Sequence, residues 1–216
     1  MPVTLAERRA RLAGARLYAI VDLGYLAADR VPEMTRKLVE GKVGLIQLRA
    51  KKLSSAEIVE LGRQMRAEIP ADGPLFVLND YPELVAQVGA DGIHLGQDDG
   101  PLETGRAAAG REVLIGRSTH SLDQAVGAEK EGADYIGVGP IFATPTKPDY
   151  VPVGPGLIGQ VRAKVKVPQF CIGGINEKTL PEVLRARAER VVIVSALLQS
   201  GDPVGYCRRV REVLGK

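Results

Sequence analysis

Eight short runs rich in β-branched and other apolar residues alternate with Ala- and Leu-rich amphipathic stretches along almost the whole chain. The runs are RLYAIVD (16–22), VGLIQLR (43–49), LFVLND (75–80), DGIHL (91–95), EVLIGRS (112–118), DYIGVG (134–139), PQFCIGG (168–174) and RVVIVSA (190–196). They are apolar on both alternations, as parallel strands are when helices cover one face and a packed interior the other. Eight strand–helix units predict a (β/α)8 TIM barrel, an α/β fold, here shorter than the typical ~250 residues. A doubly wound open sheet is the alternative, but no G-x-G-x-x-G turn follows the first strand.

Local signals fit the same division. Ser54 or Ser55 is placed to start one helix, Gly89 and Gly132 to close two others, and Asn176 to cap the helical stretch NEKTLPEVLRARA. GADGI (89–93) and GADYI (132–136) echo each other, each a helix end turning into a strand. Residues 1–15 would be an extra N-terminal helix plugging the barrel floor, and with no linker-like composition residues 1–216 read as a single domain.

A length of 216 residues with 45% hydrophobic content suffices for a sizeable core. Twenty-nine basic against 26 acidic residues leave a formal charge of +3, too little to argue for nucleic acid or a membrane surface. The start of the chain, with Arg8, Arg9, Arg11 and Arg16, offers neither a secretory apolar core nor a spanning helix, so the chain reads as soluble and cytoplasmic. Cys171 and Cys207 are far apart and have no second ligand pair nearby, which argues against zinc and against a disulfide framework.

In a TIM barrel the chemistry sits at the carboxyl ends of the strands. Strand 2 ends in Gln47 and Arg49 with Lys51 beyond, strand 3 in Asn79 and Asp80, strand 4 in His94, Gln97, Asp98 and Asp99, and strand 5 in Ser118 and His120. Strand 6 runs into Thr144, Thr146 and Lys147, strand 7 ends in Gly173 and Gly174, and strand 8 in Ser195. Each has a plainer reading: Asn79–Asp80 as a helix cap, His94 as a core histidine, Asp98–Asp99 as a turn, Gly173–Gly174 as a tight bend. Their convergence on one mouth favours a site. Asp80 and Asp99, with Arg49, Lys51 and Lys147 around them, suit a Mg²⁺ that takes its other oxygens from phosphate and water. Gly173, Gly174 and Ser195 suggest a second anion site, hence two phosphorylated ligands. No Ser-His-Asp or Cys-His arrangement is apparent, which points to charge stabilisation rather than covalent catalysis.

The motifs QLRAKK (47–52), LND (78–80), GIHLGQDD (92–99), GRSTHS (116–121), DYIGVGPIFATPTKPD (134–149), IGGI (172–175) and VSA (194–196) occur in this order. Through them the chain resembles the thiamine-phosphate synthase (thiamine-phosphate pyrophosphorylase) family along nearly its full length. That resemblance implies a transferase joining hydroxymethylpyrimidine diphosphate to a thiazole phosphate, with diphosphate released and thiamine phosphate formed. It implies Mg²⁺ on Asp80 and Asp99, and the pyrimidine diphosphate on Gln47, Arg49, Lys51, Asn79, Ser118 and Lys147. Thr144, Thr146, Gly174, Val194 and Ser195 would hold the thiazole phosphate. Arg49, Lys51, Lys147 and Ser118 would be the catalytic set in a dissociative reaction that needs no general base. The long irregular segment 140–155 is then expected to cover the mouth and exclude water. One position departs from the family: Ala50 stands where an acidic residue is common, and its side chain should face away from Arg49 and Lys51. The competing functions are a thiazole tautomerase-like isomerase and a non-catalytic sensor of thiamine precursors. Retention of Asp80, Asp99, Lys51 and the TPTK segment favours the synthase. A homodimer is the expected assembly.

Overall fold

The computed structural model describes residues 3–144 and 151–215, in which eight parallel strands close into a barrel in chain order. They are β1 (Leu17–Asp22), β2 (Leu45–Arg49), β3 (Leu75–Asn79), β4 (Gly92–Leu95), β5 (Leu114–Thr119), β6 (Tyr135–Val138), β7 (Gln169–Cys171) and β8 (Val191–Ile193), with β8 pairing back onto β1. Side chains alternate across each strand, so the barrel carries two separate cores. Tyr18, Ile20, Leu45, Val77, Leu114, Tyr135, Phe170 and Val192 fill the interior. Ala19, Ile46, Leu48, Ile93, Ile115 and Ile193 belong to the outer core, which includes the helix residues Leu38, Ile58 and Val183.

The floor is closed by α1 (Leu5–Gly14), which Thr4 and Glu7 start with a capping box. Leu12 and Ala15 join the interior cluster from below. The helix is tied down by Arg8 to Asp91 at 3.1 Å and Arg9 to Asp134 at 2.6 Å. Those aspartates are the ones shared by the GADGI and GADYI echoes, and each also accepts a backbone N–H of the preceding strand, from Phe76 and Ile115. The repeated Gly-Ala-Asp is thus a floor latch.

The outer helices are α2 (Val31–Glu40), α3 (Ser55–Ala67), α4 (Val85–Val88), α5 (Leu102–Ala109), α6 (Leu122–Lys130), α7 (Gly156–Lys164), α8 (Leu180–Arg185), α9 (Ser195–Leu198) and α10 (Pro203–Val213). Ser54 caps α3, Gly89 ends α4 in the left-handed region, and Asn176 Oδ1 accepts from Lys178 and Thr179 ahead of α8. Two segments differ from the sequence reading. Pro82 opens a 3₁₀ turn (Pro82–Leu84) that leaves only one α-helical turn in α4. Strand β8 ends at Ile193, where Val194 leaves the extended region at φ −116° and ψ −95°. Ser195 therefore begins α9 instead of ending the strand.

Candidate active site

On β1, β2, β3 and β5 the inward alternation carries apolar residues low in the barrel and polar ones at its upper end. Tyr18 and Ile20 are followed on that face by Asp22, Leu45 by Gln47 and Arg49, Val77 by Asn79, and Leu114 by Ser118 two turns of the pleat later. These polar ends surround a cavity of about 250 Å³. Of the residues named from sequence, Gln47, Arg49, Asn79, Ser118, Thr144, Gly174, Val194 and Ser195 line it. Thr146 and Lys147 lie outside the described residues. The segment expected to cover the mouth falls partly there as well. Of its described part, Pro140, Ala143 and Thr144 line the cavity, and its two ends are stitched by Val153 N–H to Pro140 O at 2.8 Å and Gly154 N–H to Ile141 O at 3.2 Å.

Lys51, Asp80 and Asp99 are not in the cavity wall and make a group of their own. Lys51 Nζ lies 3.4 Å from Asp80 Oδ2. Asp80 is held above the ordinary carboxylate range, first by burial and then by the neighbouring Asp99, with Lys51 acting in the opposite sense. Asp80 and Tyr81 both have positive φ, 57° and 52°. Aspartate tolerates that region better than most residues, and the kink follows the Asp80 N–H to His94 O bond that pins β3 to β4. Neither Asn79 nor Asp80 caps the following turn, whose cap residue Tyr81 makes no side-chain cap hydrogen bond, so the helix-cap reading of Asn79–Asp80 falls away.

Asp99 is placed by its own loop, where Gly96 N–H donates to Asp99 Oδ2 at 2.6 Å. The loop is fastened from the outer face of β5. Arg117, 5% exposed, donates to Gly96 O at 2.5 Å and Gly100 O at 2.6 Å. Among the described residues no group of three or more His, Cys, Asp or Glu side chains gathers as a metal cage. Two carboxylates crowded together beside the cavity fit instead an ion such as Mg²⁺ that takes water and substrate oxygens as most of its ligands.

On the opposite side of the cavity, Gly173 and Gly174 have φ of 99° and 64°. A Cβ on Gly174 would meet Ala143 O and Phe142 Cβ at 2.7 Å, so this glycine serves the bend and the close approach of the β6–α7 segment. Asn79 Nδ2 is buried with no hydrogen-bond partner among the described residues, although the residue borders the cavity. A buried unpaired amide costs stability, and a ligand acceptor in the cavity would satisfy it.

Sequence reasoning passed over Asp22, Tyr18, Tyr135 and Arg117. Asp22, 2% exposed, lines the cavity and holds Arg49 through a 2.8 Å ion pair from Nη1 to Oδ2. Its signal was available, as the single charged residue closing the otherwise uncharged strand LYAIVD (17–22). Ala50 is 4% exposed in the outer core, facing away from Arg49, so the carboxylate that Arg49 uses comes from β1 and not from its own strand.

A family model described as thiamine monophosphate synthase matches residues 17–197, from the start of β1 into α9. The chain belongs to the thiamine monophosphate synthase family. The thiamine-phosphate synthase of Syntrophomonas wolfei is 38% identical over 198 residues, covering 91% of this chain and 95% of that one. A relative of the same name from a Synechococcus strain is 39% identical over 97% of this chain, which spans only 60% of that relative's length. Among solved structures, the thiamine phosphate pyrophosphorylase of Pyrococcus furiosus superposes with a TM-score of 0.84 at 31% identity, covering 96% of this chain and 98% of that one. A 3-hexulose-6-phosphate synthase, at 20% identity and a TM-score of 0.65, shares the fold alone. The closed barrel of eight strands is what the strand count in the sequence predicted, and α1 lies where residues 1–15 were expected to plug the floor.

Proposed function

We propose that this chain is a thiamine-phosphate synthase that condenses 4-amino-5-hydroxymethyl-2-methylpyrimidine diphosphate with a thiazole phosphate, releasing diphosphate. The observation that carries this reading is the pairing of Asp80 with Asp99 beside Lys51, next to a cavity walled by Arg49, Asn79 and Ser118. A Mg²⁺ held by Asp80 and Asp99 would supply positive charge against the diphosphate oxygens. Arg49, Lys51 and Lys147 offset the charge that develops as the C–O bond to diphosphate breaks, and Ser118 donates a hydrogen bond to it. Gln47 and Asn79 orient the pyrimidine, whose amino group stabilises the methylene cation until the thiazole nitrogen captures it. No proton need be removed in that step, and the His94 that meets Ser118 at 3.0 Å has Tyr135 on its other ring nitrogen where a triad would have a carboxylate.

Thr144, Thr146, Gly174, Val194 and Ser195 take the thiazole phosphate, the four described ones all lining the cavity. The same reading takes residues 1–216 as one TIM-barrel domain, acting in the cytoplasm as a homodimer. Among the described residues no helix is long and apolar enough to cross a membrane. Purified protein given both substrates should form thiamine phosphate with Mg²⁺ and none in chelator. An isomerase would convert the thiazole without the pyrimidine substrate, and a sensor would bind without turnover; either result would overturn the reading.

A further inference from the structure

Five side chains from five strands form a continuous hydrogen-bonded line through the upper barrel. Gln47 Nε2 lies 2.5 Å from Tyr18 Oη, Tyr18 Oη 3.3 Å from Tyr135 Oη, Tyr135 Oη 3.2 Å from His94 Nδ1, and His94 Nε2 3.0 Å from Ser118 Oγ. The two ends line the cavity, while Tyr18 and Tyr135 are buried in the interior core. The line is built into the sequence. A Cβ on Gly116 would fall 2.2 Å from Tyr135 Cζ, so the glycine of GRSTHS clears the slot in which the Tyr135 ring lies.

The proton order along this line follows once every buried hydroxyl hydrogen is required to find an acceptor. An amide nitrogen only donates, so Tyr18 Oη accepts from Gln47 Nε2, and Tyr135 Oη is the acceptor within reach of the Tyr18 proton. Tyr135, accepting there, gives its own proton to His94 Nδ1. An accepting Nδ1 leaves the imidazole proton on Nε2, which donates to Ser118 Oγ. The serine oxygen is then an acceptor on its protein side, and its hydroxyl hydrogen is left to point into the cavity. Burial raises both phenols above their ordinary range, which keeps each an O–H donor.

We propose that Tyr18, Tyr135 and His94 are positioning residues, a one-way hydrogen-bond relay that fixes the Ser118 hydroxyl as a donor to the departing diphosphate. The same order leaves Gln47 Oε1 as an acceptor for an amino group on the pyrimidine. The role given to the bound substrate rests on the function proposed above; the direction of the relay does not.

The test has a spectroscopic arm and a kinetic arm. The chain has two histidines, so ¹⁵N spectra of the imidazoles, assigned with a His120→Gln variant, report the His94 tautomer at pH 8. The relay requires the Nε2–H tautomer in the native protein and a shift toward Nδ1–H in Tyr135→Phe. Kinetically, Tyr135→Phe should lower kcat about 10–100-fold, the loss expected for one hydrogen bond to a charged group, with KM for the thiazole phosphate changed less than about twofold. In a Ser118→Ala background the same substitution should lower kcat by less than about twofold. An Nδ1–H tautomer in the native protein, or losses that multiply in the double variant, would overturn the relay. The tautomer is read on the native protein, so a poorly folding Tyr135→Phe leaves the test intact. A preparation with the Nε2–H tautomer that makes no thiamine phosphate would sink the proposed function while supporting the relay.

Discussion

Asp22 and Arg49 occupy partnered positions of β1 and β2, and their side chains meet in a 2.8 Å ion pair at the rim of the interior. Asp22 also accepts the N–H of Gly24 at 2.9 Å, so the carboxylate is anchored by its own loop before it anchors the arginine. The pair is well buried, at 3% side-chain exposure for Asp22 and 20% for Arg49. Removing one partner of a fully buried pair costs about 3–5 kcal/mol. Asp22→Ala is expected at about 2–3 kcal/mol, below that range because Arg49 keeps some water, read as a lower urea midpoint. Asp22→Asn should keep most of the stability and raise KM for the pyrimidine diphosphate, since a neutral partner no longer holds the guanidinium in place.

The Asp80–Asp99 pair predicts a metal requirement that mutation can separate from folding. Asp80→Asn suits the left-handed backbone at φ 57° and should leave the melting transition near that of the native protein. Turnover should nonetheless fall at least about 100-fold, as for the loss of a principal electrostatic stabiliser. Dialysis against EDTA should abolish product formation, and added Mg²⁺ should restore it in the native protein but not in the variant.

Gly174 tests the bend opposite the Asp80–Asp99 pair. Alanine there meets a φ of 64° and two neighbours at 2.7 Å. Left-handed strain of about 1–2 kcal/mol and overpacking of about 1–3 kcal/mol together predict a loss of roughly 2–5 kcal/mol in denaturant unfolding. KM for the thiazole phosphate should rise more than KM for the pyrimidine diphosphate, because the displaced segment carries Thr144.

Alkaline pH should weaken the fold. Burial pushes the thiols of Cys171 and Cys207 up to about 12 from an ordinary value of 9.0. The folded state then holds these protons more tightly than the unfolded chain, so the stabilisation is full below about pH 9 and is lost as pH rises toward about 12. Tyr18, Tyr135 and Tyr206 are shifted in the same direction. Urea midpoints should hold from pH 8 to about 9 and fall from there to pH 11, and neither thiol should react with an alkylating reagent at pH 8 until the protein is unfolded.

The sequence by itself determined the number and order of strands, the floor helix, the caps at Ser54 and Gly89, and the list of polar residues at the strand ends. Those follow from local periodicity and from the rule that barrel chemistry gathers at the carboxyl end, which is why Gln47, Arg49, Asn79 and Ser118 were legible before any coordinates. Only the tertiary structure decided which face of each strand was the interior, because runs apolar on both alternations look alike from within. That choice put Tyr18, Tyr135 and His94 in one line. It also gave Arg49 a carboxylate 27 residues distant in sequence. Likewise, the strand order made β3 and β4 neighbours, but the left-handed turn at Asp80 and the Arg117 clamp on the loop of Asp99 brought the carboxylates together. Contacts of that kind depend on closure of the barrel, which no single window of sequence contains.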